Sequence, residues 1–123
     1  MAGCSVGDKG AISVDSLINN AAQYDMQSVR VCGLLIDSLE YCGLRAKPLP
    51  EGFSTKELKN FIWVSTPRGV CMPGKSDSMQ GTSSTTWVVV EGVFHTGGEY
   101  GHFGGAVHEI KSNRILVTGN PCI

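Results

Sequence analysis

The chain has 123 residues, enough for one domain, since two separate cores of about 60 residues each would sit near the limit of what folds alone. Apolar residues make up 41% and charged residues 17%, which excludes a disordered tail. Ten Lys and Arg against eleven Asp and Glu give a net charge of −1, which disfavours a domain built to grip phosphate backbones. No apolar run approaches the roughly 20 residues of a membrane-spanning helix.

Residues 1–12 are mostly small and polar and read as a flexible tail, leaving 13–123 as a single domain. Helical spacing begins at Ser13-Val14-Asp15, where Ser13 or Asp15 can cap and Leu17, Ile18, Ala21 and Ala22 share a face. This short helix ends near Gln23 to Asp25, with Tyr24 folding back on the core. From Ser28 the period becomes two, and Val29, Val31, Gly33 and Leu35 form one face of a strand in which Gly33 marks a bulge or bend. A second strand covers Leu39 to Arg45. Pro48, Pro50 and Gly52 make Ala46 to Lys59 a surface excursion. Phe61-Ile62-Trp63-Val64-Ser65 is a third strand, stopped by Pro67, and residues 72–86 are a polar loop with at most one helical turn. Trp87 to Phe94 is the strongest strand signal. Gly97-Gly98 then reads as a turn, Gly104 to Ile110 as a fifth strand, and Ser112-Asn113 as a turn before Ile115-Leu116-Val117.

Five strands, two with internal glycines, fit a small barrel better than a sandwich, which needs about seven. The segment Ser28-Val-Arg-Val-Cys-Gly-Leu-Leu-Ile36 resembles the V-x-V-x-G first strand of oligonucleotide/oligosaccharide-binding (OB) fold proteins. Trp87 to Phe94, Gly101-His-Phe-Gly104 and the strand from Ala106 to Ile115 resemble the last two strands of small bacterial OB-like envelope proteins. The likeness runs over residues 14–117. It implies a mostly β, five-stranded OB-like barrel with a short N-terminal helix and a loop or short plugging helix between the third and fourth strands. It carries no catalytic residue with it, so function follows only by analogy.

The five cysteines, Cys4, Cys32, Cys42, Cys71 and Cys122, include no Cys-x-x-Cys pair, so the common zinc-finger and thioredoxin spacings are absent. Two disulfides and one odd cysteine suit an oxidising compartment. Met1-Ala2-Gly3-Cys4 ends like a bacterial lipobox, which makes Cys4 the odd cysteine and a lipidation candidate. That reading expects the basic and apolar regions of a signal peptide upstream of Met1. Four cysteines allow three connectivities; Cys71 with Cys122, and Cys32 with Cys42 across the first hairpin, are favoured. A buried free thiol at Cys32 is the competing reading.

Candidate chemistry is sparse. His95, His102 and His108 would need to converge to hold a transition metal; two turn histidines and one on the outer face of a strand is the simpler expectation, so no metal or cofactor is assigned. Glu91, in an apolar strand, is either a buried general acid or, more simply, faces a hydrogen-bonding neighbour such as Arg30 or the barrel rim. No nucleophile signature is present, no catalytic residue is assigned, and a non-enzyme is expected. Trp63, Trp87 and Phe94 read as core. Tyr100 and Phe103, in a polar Gly-rich segment, are harder to hide, and with His102, Arg45 and Lys47 they form the expected contact rim.

The sequence thus points to a non-enzymatic binding or adaptor module of OB type in the bacterial envelope. It would be periplasmic or anchored at the outer membrane through Cys4, and would contact a protein or glycan. The alternative is a cytoplasmic single-strand nucleic-acid binder of the same fold, which the charge disfavours.

Overall fold

The computed structural model describes residues 10–38, 41–46, 61–66, 84–100, 106–118 and 120. They form a mixed six-stranded sheet: β1 (Ile12–Ser13), β2 (Ser28–Ser38), β3 (Tyr41–Arg45), β4 (Phe61–Ser65), β5 (Ser84–Tyr100) and β6 (Ala106–Val117). Two short helices, α1 (Val14–Asn19) and α2 (Ala21–Tyr24), lie between β1 and β2.

Five strands close into a ring of hydrogen bonds in the order β2-β3-β4-β6-β5, with β5 returning to β2. Every contact around it is antiparallel except β4 with β6. The closing ladder runs from Ser28 opposite Val93 to Asp37 opposite Ser84. β1 adds to β2 in parallel through Val31 and Cys32, occupying the stretch of edge that β3 leaves open before Leu34. Ile12, expected in the tail, is therefore paired with Val31.

Period-two alternation places Val31 and Leu35 of β2, Leu44 of β3, Ile62 of β4, Phe94 of β5 and Ile110 of β6 in one core cluster inside the ring. Val14 and Leu17 of α1 join that cluster, at 1% and 0% exposure, so the N-terminal helix fills the ring. Ser13 caps this helix as expected, its Oγ accepting from the Ser16 amide at 3.1 Å. Ala22, placed on the buried face by sequence, is exposed, because the helix breaks at Asn20 before α2. Gly33 makes room for this packing: a Cβ there would lie 2.6 Å from Val14 Cγ2 and 2.8 Å from Leu44 Cγ. Of the loop expected at residues 72–86, Ser84, Thr85 and Thr86 belong instead to β5, where they pair with β2, and the rest, with any helical turn, lies outside the described residues.

β2 is buried on both faces from Val31 to Ile36, which explains its unbroken apolar run. β4 matches the expected Phe61–Ser65 strand. Two expected turns lie within strands instead. Gly97-Gly98 belongs to β5, where Gly97 takes φ +82° and the ladder shifts between Thr96 and Tyr100. Ser112-Asn113 belongs to β6, where the ladder jumps from Gly92–Ser112 to Glu91–Arg114.

A disulfide between Cys32 and Cys42 does not fit this register. Cys42 stands opposite Asp37 and packs toward the core, whereas Cys32 points to the other face of the sheet. Five residues along the strand separate the two positions, about 16 Å, against the roughly 7 Å limit for a disulfide's Cα atoms. Cys4, Cys71 and Cys122 lie outside the described residues.

Candidate functional site

The jump in the β5–β6 ladder leaves Asn113 as the extra residue of a β-bulge. Gly92 permits it, because a Cβ on Gly92 would collide with the backbone of Lys111 and Ser112. Ser112, beside the bulge, is buried and donates its hydroxyl to the Ser65 carbonyl at 3.0 Å, tying the bulged stretch to the end of β4. Where the start of β2 passes this bulge there is an open cleft of about 480 Å³. Its polar side chains are Ser28, Arg30, Glu91 and Asn113, and Tyr24 and Ile12 supply apolar surface. The volume falls within the roughly 300–1,000 Å³ of small-ligand sites.

Arg30 and Glu91 are directly opposed on β2 and β5, and Arg30 Nη1 donates to Glu91 Oε2 at 3.3 Å. Sequence reasoning named this pair. Both side chains remain a little under one-third exposed, so the pair lies on the wall of the cleft and Glu91 is not a sequestered acid. Arg114 approaches the other oxygen, Oε1, at 4.0 Å. One carboxylate thus holds two guanidiniums beside a carboxamide and a hydroxyl. The set combines donors and acceptors with an aromatic surface, which suits a hydroxyl-rich ligand.

The expected contact rim fares differently. Arg45 is only 7% exposed, although it lies on the face of β3 away from the core cluster, where it stands opposite the wholly buried Phe61. Tyr100 is partly exposed at the end of β5. Burial first, then the Glu109 and Asp25 carboxylates, push its phenol above the ordinary value. Lys47, His102 and Phe103 lie outside the described residues. Trp63 and Trp87 are partly exposed and outside the core cluster; of the three aromatics read as core, only Phe94 is in it.

The histidines divide as well. His95 is partly exposed opposite Glu109. His108, expected on an outer face, is buried at 8% exposure, in phase with Ala106 and Ile110. Its Nδ1 lies 2.8 Å from Thr96 Oγ1 and its ring stacks on Phe94 with centroids 5.8 Å apart. Among the described residues, no three His, Cys, Asp or Glu side chains are grouped to hold a metal ion, and no helix is long and apolar enough to cross a membrane.

No protein-family model matches the chain, and no curated protein matches it. Among solved structures it is similar to a DUF3299 family protein from Pseudomonas aeruginosa PAO1, with a TM-score of 0.48 and 16% identity over 80% of this chain. The chain spans 65% of that protein's length.

Proposed function

We propose that the chain is a non-enzymatic binding module of OB type that works in the bacterial envelope, and that its cleft takes a glycan. Support for the OB-type barrel comes from the ring order, with one parallel contact, between its third and last strands, closing an otherwise antiparallel circuit. The observation that carries the glycan is the cleft itself. Asn113, Glu91, Arg30 and Ser28 offer donors and acceptors for vicinal hydroxyls, and the Tyr24 ring lies beside them for a sugar's C–H face.

The envelope assignment includes two disulfides, one through Cys32 and one through Cys42, each to a different partner because the two cannot reach one another. One cysteine then remains, and Cys4 is the candidate for lipidation.

Titration with solubilised peptidoglycan fragments tests the reading. Saturable binding that weakens at least tenfold in Asn113→Ala supports it. Absence of binding, combined with salt-sensitive binding to an unstructured oligonucleotide, would replace it with the nucleic-acid reading.

A further inference from the structure

The turn between α2 and β2, residues Asp25 to Gln27, is gripped by one short stretch of β5. The Phe94 amide donates to the Gln27 carbonyl at 2.9 Å, and the Met26 amide donates to the Phe94 carbonyl at 2.6 Å. Two residues on, the Thr96 amide donates to Asp25 Oδ1 at 3.0 Å. The grip holds a strained loop, since Met26 sits at φ +69° with its side chain 70% exposed. Both gripping residues also touch His108, Phe94 through its ring and Thr96 through its hydroxyl. Tyr24, the residue before the turn, lines the cleft.

We propose that His108 is a proton-operated latch: neutral, it seats Phe94 and Thr96 so that β5 grips the Asp25–Gln27 turn, and on taking a proton from solvent it loosens that turn. The neutral ring fits its place, stacked on a core phenylalanine with Nδ1 facing a hydroxyl that can donate to it or accept from it. The protonated ring would bring a full charge into the same place. The ionisable groups around it, among the described residues, do not neutralise that charge. Asp25, whose Oδ1 accepts from the Thr96 amide, keeps its charge but forms no ion pair with the ring. Glu109, next in β6, alternates to the opposite face, where it stands opposite His95. Tyr100, in the last stretch of β5, is uncharged, and the β4 neighbour reached by continuing the β4–β6 ladder back one residue is Ile62. Burial alone accordingly pushes the imidazole below its ordinary value. Release of the turn would free Tyr24, a wall of the cleft. That consequence rests on the cleft being the ligand site; the latch itself does not.

Amide hydrogen exchange, with protection factors corrected for intrinsic rates, tests the latch without any ligand. Between pH 7.5 and pH 5, protection at Met26 and Phe94 should fall severalfold, because the opened turn takes up the proton more readily than the closed one. Val31 and Val90, in the ring, should keep theirs. The midpoint of the rise in the opening constant should coincide with the titration of the His108 ring followed by NMR, and His108→Gln should abolish the drop. Equal protection at the two pH values, a drop that persists in His108→Gln, or midpoints that differ in the wild-type protein would each overturn the proposal. The wild-type midpoints decide the matter even if the variant does not fold.

Discussion

Replacing Gly33 with alanine tests whether α1 fills the ring. The added Cβ would stand 2.6 Å from Val14 Cγ2, 2.8 Å from Leu44 Cγ and 3.1 Å from the Arg45 carbonyl oxygen. The first two contacts are shorter than real carbon–carbon contacts by about 1 Å, and both atoms belong to wholly buried side chains. Leu44 is locked within β3, so relief must come from moving α1 outward. Overpacking of this kind costs about 2–3 kcal/mol, partly offset by the lower unfolded-state entropy of alanine. Urea unfolding followed by circular dichroism would measure the loss. A second substitution, Val14→Ala, removes the nearest atom, so the double variant should lose about 1 kcal/mol less than the sum of the singles. A Gly33→Ala protein within 0.5 kcal/mol of wild type, or strictly additive substitutions, would refute the close approach of α1 to β2.

Three further outcomes follow from the geometry. Met26→Gly should stabilise the protein by about 0.5–1 kcal/mol, because the left-handed backbone costs methionine more than the extra chain entropy costs glycine and little packing is lost at an exposed site; chemical denaturation would show it. Glu91→Gln should cost at most about 1 kcal/mol, since its ion pairs with Arg30 and Arg114 are partly exposed, and the cost should shrink in high salt. His108 titrates below its ordinary value when folded, so the unfolded chain binds the proton first. Its contribution to stability is therefore complete above about pH 6.5, falls as the pH drops from there to the folded value, and levels off below it; the wild-type urea midpoint should show this fall, and His108→Gln should lack it.

Much of the fold was legible wherever period two ran without interruption. Phe61–Ser65 was bounded by Pro67, and β2 announced itself by continuous apolar residues on both faces. The opposition of Arg30 and Glu91 was readable because each is the one charged residue of an apolar stretch, 29–36 and 87–94. Strand ends were not readable, because Gly97-Gly98 and Ser112-Asn113 look like turn pairs. A long hairpin absorbs both as irregularities of register, which local sequence does not distinguish from chain reversal. That same ambiguity hid the cleft, whose Asn113 exists as a site residue only because the strand continues through it. His108 carried a usable signal, its phase with Ala106 and Ile110, which places it inside. Arg45 was expected in an exposed rim; it lies on the face of β3 away from the core cluster, but such a position is exposed only where nothing covers the sheet, and β3 is covered there. The pairing of Cys32 with Cys42 failed on register, which the hairpin loop sets and the spacing of the residues alone does not.

Whether the cleft at the β5–β6 bulge takes a glycan, as proposed, is tested most directly by a chemical-shift map. Isotope-labelled protein would be titrated with solubilised peptidoglycan fragments while backbone and side-chain amide resonances are followed. The account expects shifts centred on Gly92, Asn113, Ser28 and Arg30, including the Asn113 carboxamide, with the far ladder around Leu44 and Ile62 unmoved. Shifts confined to Tyr100 and the end of β5, or none at saturating fragment, would contradict it.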